Sequence, residues 1–165
     1  FAMGKVKKDT AERGLYKENI HKALYASQEI KELILGDLNG KKTFEIMKEF
    51  KDHVKSHLFI DDTIEATGTF IYYEVIMPDL RTNTKTCTIT LYAICHRDIL
   101  DDYVKDGYHG NRADILSQMI EDALINDEEV NKKFGIGPLN LKSVYPYNSR
   151  QLYGVQMTFE VKNFR

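Results

Sequence analysis

The sequence predicts an α+β protein: an antiparallel sheet of four strands or slightly more, made of two hairpins, with helices packed on one face and N-terminal helices preceding it. Three observations predict this class. Apolar residues recur at helical spacing before residue 60, alternate with period two after residue 68, and return to helical spacing between two hairpin patterns. A length of 165 residues suits one domain. We therefore expect a single α+β domain over 1–165, with a helical N-terminal region (1–60) and a hairpin–helix–hairpin region (61–165).

Two amphipathic helices are predicted in the N-terminal region. Residues 15–35 carry one apolar stripe at steps of three and four, which predicts a helix that stops at Gly36. The stripe consists of Tyr16, Ile20, Leu24, Ser27, Ile30 and Ile34. A second helix is expected after Thr43, with an apolar face of Phe44, Met47, Phe50, Val54 and Leu58. Both helices need a partner surface that buries these faces.

A hairpin is predicted next. The segment 69–77 is rich in aromatic and β-branched residues, and 84–96 alternates cleanly between apolar and polar positions. Period two with one apolar face predicts a half-buried antiparallel strand. Its apolar side would be Cys87, Ile89, Leu91, Ala93 and Cys95, and its polar side Thr86, Thr88, Thr90 and Tyr92. Pro78 opens the loop between the two strands.

The last third of the chain is expected to add a helix and a second hairpin. Residues 111–126 have one broad apolar face, and a glycine-rich turn at 135–138 separates them from strands at 139–146 and 151–162. The apolar side of the final strand would be Tyr153, Val155, Met157, Phe159 and Val161.

Composition limits the classes of function. Hydrophobic residues make up 42% of the chain and charged residues 29%, as in an ordinary globular protein. The net charge of −2 argues against a simple nucleic-acid binder. Residues 1–57 hold 12 Lys and Arg against 9 Asp and Glu, whereas 58–102 hold 3 against 8, an asymmetry that suits a solvated surface or an interface. We expect neither a membrane span nor secretion, because the sequence has no long apolar run and no apolar leader.

The stretch GYHGNRADIL, residues 107–116, looks most like a ligand-binding loop. It lacks the lysine and hydroxyl residue of a Walker loop and the third glycine of a dinucleotide loop. A structural interpretation accounts for it: Gly110 permits a turn, Asn111 caps a helix and Asp114 complements the helix dipole. We expect this stretch to start a helix.

Four other groups of residues suggest chemistry and also have simpler interpretations. His53 and His57 are spaced to share a helix face, but they lack the glutamate of a zinc-protease motif and border an apolar stripe. Cys95 and His96 are adjacent on a strand and therefore point to opposite faces. Cys87 and Cys95 lie too far apart on one strand for a disulfide and are expected to be buried thiols. The aspartates of the Asp98–Asp102 region are expected to be solvated turn residues.

The order of elements resembles the tail terminator and head–tail connector (neck) proteins of tailed bacteriophages and prophages. The resemblance lies in the long hairpin of 69–96, the HRDIL and GNRADIL turns, the GIGPL turn and the closing YGVQMTFEVKNF strand. It covers about 69–165 and, more loosely, the helices before them. The N-terminal helical region is long for a minimal tail terminator.

The resemblance implies a structural protein without catalytic residues, cofactor or metal. Such proteins act as rings, often hexamers, through whose lumen viral DNA passes without specific binding. It implies contacts with the chain itself and with tail tube or neck proteins, no membrane, and a place in the virion after assembly in the bacterial host cytoplasm. The residues predicted to contact partners are Arg81, Asn83 and Lys85 in the first hairpin and Tyr145, Tyr147 and Arg150 in the second. Asp98, Arg112 and Asp114 would instead fix the helix that follows the first hairpin against the sheet.

Two alternatives remain open at this point. The chain could be a metal-dependent hydrolase that uses the acidic Asp98–Asp102 region and a histidine, if those groups converge in a pocket. It could also be a small nucleic-acid-binding or regulatory module, if folding creates a basic surface.

Overall fold

The computed structural model describes residues 8–61 and 67–165, in which helices cover one face of a five-stranded sheet. The helices are α1 (Asp9–Ala26), α2 (Gln28–Leu35), α3 (Thr43–His53), α4 (Arg112–Glu121) and α5 (Glu128–Asn131), with a 3-10 turn at Arg97–Ile99 and a π-helical turn at Asp122–Asn126. The strands are β1 (Val54–Lys55), β2 (Thr69–Leu80), β3 (Thr84–His96), β4 (Asn140–Asn148) and β5 (Leu152–Phe164).

The strands lie in the order β1-β2-β3-β5-β4. The hairpins β2–β3 and β4–β5 are antiparallel, and β3 joins them through its antiparallel pairing with β5. The short β1 adds to β2 in the parallel direction, with Val54 beside Ile71. The predicted α+β class is therefore confirmed, with one short parallel strand beyond the two hairpins.

The prediction of one helix over 15–35 was wrong at its middle. Ser27 has extended backbone angles and separates α1 from α2, and its hydroxyl accepts a hydrogen bond from the Ile30 amide. The apolar stripe continues across the break, since Leu24, Ile30 and Ile34 are all buried. Gly36 ends α2 at φ +80°, as its freedom at positive φ predicts.

The second predicted helix forms but ends early. It begins at Thr43 as expected, yet Val54 leaves the helix to pair in β1. Of its predicted apolar face, Phe50 is buried, whereas Phe44 is 76% exposed and Met47 is 49% exposed. The predicted face was therefore wrong at these two residues, because helical spacing indicates amphipathicity without showing what covers the face.

The main core lies between the helices and the helix-covered face of the sheet. The alternation predicted for β3 is confirmed, since its predicted apolar side chains are fully buried. The partners in β5 continue the same layer with Val155, Met157, Phe159 and Val161. Against this layer pack α1, α2 and α4 through Ile20, Leu24, Ile30, Leu116 and Ile120.

The opposite face of the sheet, called the outer face here, carries a smaller apolar cluster at one end. Its buried members are Phe70, Tyr72, Ile94 and Leu152, and Leu58, Ile60, Tyr92 and Tyr147 pack against them. Beyond this cluster the face is polar, with half-exposed Thr86, Thr88 and Thr90 on β3. Among the described helices, none combines the length and apolarity needed to cross a membrane.

Candidate interaction surfaces

The tip of the β2–β3 hairpin is exposed and anchored to the C-terminus. Arg81 and Asn83 are both exposed, and Arg81 Nε donates to Asp79 Oδ2 at 2.9 Å. The Arg165 guanidinium donates to the Arg81 carbonyl at 3.0 Å, and its amide donates to the Asn83 carbonyl at 3.1 Å. The predicted contacts Arg81 and Asn83 therefore lie on a projecting tip whose backbone is held at its base.

Lys85, the third predicted contact of this hairpin, is used inside the chain. It shares the helix-covered face with Cys87 and is 3% exposed. Its ammonium lies 3.0 Å from Asp9 Oδ1 and 3.1 Å from Glu12 Oε1. Glu12 also accepts from the Tyr16 hydroxyl at 2.7 Å and from Asn163 Nδ2 at 2.6 Å. This Lys85 network, as we call it, joins α1 to β3 and β5.

The pKa shifts in the Lys85 network follow from its pairing. Burial would raise the pKa of Glu12, but hydrogen bonds from Tyr16 and Lys85 outweigh burial and lower it. The hydrogen bond from Lys85 likewise lowers the pKa of Asp9. For Lys85, burial acts to lower the pKa, and its bonds to Asp9 and Glu12 raise it on balance. The network is therefore charged and paired at neutral pH.

The tyrosines predicted in the second hairpin lie on the outer face. Tyr145 pairs across the sheet with Gln156 and is 61% exposed. Tyr147 is half-buried, with its ring centroid 5.1 Å from that of Tyr92. Arg150 is exposed in the β4–β5 turn, and its carbonyl accepts from Arg97 at 3.2 Å. These three residues border one open part of the sheet.

The stretch GYHGNRADIL starts a helix, as predicted. The Asn111 side chain accepts from the Asp114 amide at 2.9 Å, while Asp114 accepts from the Asn111 amide at 3.1 Å, which makes a capping box. Gly107 and Gly110 both have positive φ, a backbone conformation that residues other than glycine rarely adopt. The Tyr108 hydroxyl donates to Glu29, which ties the loop to α2.

The residues of the Asp98–Asp102 region do not share one environment. Asp102 accepts from Arg112 at 2.6 Å, and Arg112 also donates to the Ile99 and Leu33 carbonyls, so these bonds join the start of α4 to the preceding loop and to α2. The Asp98 side chain is 79% exposed. Val104, farther along the same loop, is 88% exposed. We call 98–106 the aspartate loop.

The histidines and cysteines lie apart from one another. His53 Nδ1 lies 2.9 Å from the Thr69 carbonyl, and its ring stacks on Phe70. Cys87 and Cys95 are free and buried, and burial raises the pKa of each thiol to about 11, so both are protonated at neutral pH. Within 8–61 and 67–165, no three His, Cys, Asp or Glu side chains are grouped so that they could hold a metal ion.

A groove between α1, α3 and β1 is the feature that the sequence interpretation missed. It encloses about 570 Å³, and we call it the lysine groove. Its charged lining consists of Lys17, Lys22, Lys51, Lys55, Glu18 and Asp52, with His21 and His57 beside them. The positive balance of residues 1–57 was a signal for a basic surface, but helical spacing alone does not show that α1 and α3 lie side by side.

A family model named YomW matches residues 17–161, which is most of the chain. The name is of the type given to proteins of Bacillus phages and prophages, and it indicates a phage-associated protein. No curated protein matches the chain.

Proposed function

Since the chain belongs to the YomW family, we propose that it is a structural tail or neck assembly protein, of the tail terminator or head–tail joining type, that forms a homo-oligomeric ring. A hexamer is the ring size expected from the resemblance to tail terminators. The ring would join tail tube or neck proteins in the virion and would be assembled in the bacterial host cytoplasm.

The open, partly aromatic outer face of the sheet is the observation that carries the proposal. Helices cover the other face, whereas on the outer face a cross-strand row runs from the buried Tyr72 through the half-buried Tyr92 and Gln156 to Tyr145, which is exposed. Tyrosine offers a large contact area at low entropic cost and is enriched in protein interfaces. A second protein surface is the occupant that this chemistry favours.

The two edges of the sheet favour contact through side chains over the addition of a further strand. On β2, Arg13 Nε donates to the Val75 carbonyl at 2.6 Å and so occupies part of the strand edge. On β4, Pro146 removes one backbone donor from the edge strand. Both devices suppress uncontrolled strand pairing. In the proposed ring, Tyr145, Tyr147 and Arg150 therefore contact a partner through the outer face.

The exposed hairpin tip supplies the second set of proposed contacts. Arg81 and Asn83 project beyond the sheet on a loop held by Arg165. A tip of this kind suits contact with a neighbouring subunit or with the tail tube. Lys85, the third residue predicted to contact a partner, is buried. We propose that it supports the contact indirectly, by holding the base of this hairpin against α1.

The charge of the chain suits a ring that DNA crosses without binding. A net charge of −2 does not supply the cationic lumen that would hold phosphates tightly. Viral DNA is therefore proposed to pass through the lumen without specific contacts.

Negative-stain electron microscopy with light scattering on the same sample tests the proposal. We expect rings with a central hole and a mass near six times 19.1 kDa. If the protein stays monomeric at high concentration and also fails to bind purified phage tail tubes or neck complexes, the proposal is wrong. A neck or tail complex that forms without the protein in an assembly reaction would contradict it as well.

A further inference from the structure

We propose that the lysine groove of one protomer binds the aspartate loop of a second copy of this chain, so that the two form a head-to-tail contact. This inference rests on the proposed ring and names the surfaces that would build it.

The lysine groove concentrates positive charge in a chain that is negative overall. Four lysines line it against two acidic residues, Glu18 and Asp52. Lys17 is already used, because its ammonium lies 2.6 Å from Glu74 and donates to the Ser56 carbonyl. Lys22 and Lys51 are exposed, and Lys55 is half-exposed. These three ammonium groups therefore remain at the surface for an anionic partner.

His21 lines the groove, and the positive charge of the groove affects its pKa. Burial is the first cause that lowers its pKa, and the nearby charge of Lys51 lowers it further. His21 is therefore neutral at neutral pH, and its ring packs edge-on against Phe50 at 5.5 Å. The groove thus has a neutral, partly apolar floor with cationic walls, which suits a short acidic segment that carries an apolar side chain.

The aspartate loop has that composition. It carries Asp98, Asp101, Asp102 and Asp106 against a single lysine, Lys105. Asp98, Asp101 and Asp106 are exposed and point their charge to solvent. Val104 is 88% exposed and so is free to contact another surface. The loop therefore offers three exposed carboxylates around one apolar side chain, and that of Asp98 also lies 3.5 Å from His96 Nδ1.

The apolar part of the contact also has a matching receptor. A second cavity of about 180 Å³ adjoins the lysine groove and shares His21, Lys22 and Lys51 with it, and Tyr25 and Met47 complete its walls. Met47, one of these lining residues, is 49% exposed and is therefore accessible from the cavity. Val104 is small enough for this cavity, and its insertion would place the neighbouring aspartates next to Lys22 and Lys51.

The aspartate loop is held in place before it binds. Arg112 donates to Asp102 and to the Ile99 carbonyl, and its guanidinium lies 5.0 Å from the Tyr103 ring centroid. A loop fixed in one conformation loses less entropy when it binds. Because Arg112 engages Asp102, the other three aspartates carry the proposed contact.

The two surfaces belong to different parts of the fold. The groove is formed by α1, α3 and β1, whereas the loop follows β3 and is held by Arg112 of α4, which donates to Asp102 in the loop and to the Leu33 carbonyl of α2. A contact between two unlike surfaces is heterologous, and repeating it by a rotation that closes generates a ring. The pairing of a basic surface with an acidic one also fixes the direction of assembly.

Charge reversal on each side tests the contact. The groove variant combines Lys22→Glu, Lys51→Glu and Lys55→Glu, and the loop variant combines Asp98→Lys, Asp101→Lys and Asp106→Lys. We expect each variant alone to assemble at least about tenfold more weakly than wild type. A one-to-one mixture should restore assembly, because an alternating ring then pairs opposite charges at every contact.

Matched controls separate this contact from general effects of charge. The variant Lys132→Glu/Lys133→Glu reverses two exposed lysines that follow α5 and do not line the groove, and it should assemble as wild type does. Circular dichroism and thermal unfolding establish that each variant is folded, and neutral Lys22→Gln and Lys51→Gln variants replace the triple variant if its stability falls. Light scattering at low and high salt should show that wild-type assembly weakens as salt rises.

The outcomes distinguish this inference from the proposed function. If wild type forms rings and both reversed variants do too, the contact between groove and loop is overturned while the ring stands. If each variant is monomeric but the mixture stays monomeric, the two surfaces do not meet, and the inference is overturned. If wild type is a monomer under all conditions, both the ring and this contact fail.

Discussion

The two faces of the sheet come from the same strands but differ in what covers them. On β3, the side chains of Ile89 and Leu91 lie under the helices and are fully buried, whereas Thr88 and Thr90, which alternate with them, are half-exposed on the outer face. The covered face holds the chain together by burial of apolar area. The outer face contributes less to stability and remains open for a partner. The assembly contact that we propose for the outer face would therefore use side chains of these strands other than those that stabilise the fold.

The largest effect on stability is expected for neighbouring residues of β3 that lie on opposite faces of the sheet. Leu91→Ala removes a fully buried side chain beneath the helices and should lower the free energy of unfolding by about 2–5 kcal/mol. Thr90→Ala, one residue along on the outer face, should change it by no more than about 0.5 kcal/mol. Urea unfolding followed by circular dichroism measures both. Equal losses would contradict the distinction between the two faces.

Removal of the Lys85 ammonium from the covered face should destabilise the fold nearly as much as Leu91→Ala. Lys85→Met keeps most of the side-chain volume but leaves the buried Glu12 carboxylate without its ammonium partner. We expect a loss of about 3 kcal/mol in the free energy of unfolding. Lys142→Met, at an exposed position on β4, is the matched control and should be close to neutral. If both lysines behave alike, the network does not stabilise the fold.

One position on the outer face, Gly154, should not tolerate a larger side chain. A Cβ at Gly154 would lie 2.2 Å from the Ala93 carbonyl oxygen and 2.5 Å from Ile94 Cγ2, so β3 and β5 would have to shift. Gly154→Ala should therefore destabilise by about 1–3 kcal/mol. Gly14→Ala is the control, since a Cβ there meets nothing within 4 Å in α1, and it should stabilise by about 0.5–1 kcal/mol. If Gly154→Ala leaves the free energy of unfolding unchanged, β3 and β5 can shift apart at this point without cost.

These positions also show how far the sequence alone determines the fold. Period-two alternation identified the buried side of β3 residue by residue, because each strand residue has a fixed side. The same rule places Lys85 with Cys87, yet a lysine beside a hairpin loop is ordinarily exposed. Its burial depends on Glu12, which is far away in the sequence and meets it only when α1 packs on the sheet.

The parts that could not be predicted depend on contacts between distant segments. The break at Ser27 keeps the apolar stripe in register, so helical spacing does not reveal it. The exposure of Phe44 and Met47 reflects which elements pack on α3, and the lysine groove needs α1, α3 and β1 together. The capping box at Asn111 was predictable because all its atoms lie within four residues.

Acid should weaken the covered face by protonating Glu12 in the Lys85 network. The pKa of Glu12 is lowered in the folded chain by its hydrogen bonds, so the unfolded chain binds protons at a higher pH. The stabilisation by Glu12 is therefore complete above its unfolded pKa near 4.5 and is lost as the pH falls through the folded value. Urea unfolding at a series of pH values should show this loss in wild type. Glu12→Gln should remove that part of the pH dependence, and Glu128→Gln at the exposed start of α5 is the control. Identical curves for wild type and Glu12→Gln would contradict the assignment.

The smallest effect on stability should accompany a large effect on assembly. Tyr145→Ser removes an aromatic ring that is 61% exposed at the edge of the outer face, so it should change the free energy of unfolding by no more than about 0.5 kcal/mol. If the outer face contacts a partner, the same substitution removes a large, rigid contact side chain, and interface tyrosines are frequent hot spots. We expect the ring fraction in light scattering to fall at least tenfold. Ile136→Ser removes an apolar side chain that is 56% exposed outside the sheet and should leave assembly unchanged. Loss of stability without loss of assembly in Tyr145→Ser would reverse the roles given to the two faces, because the outer face would then act as core.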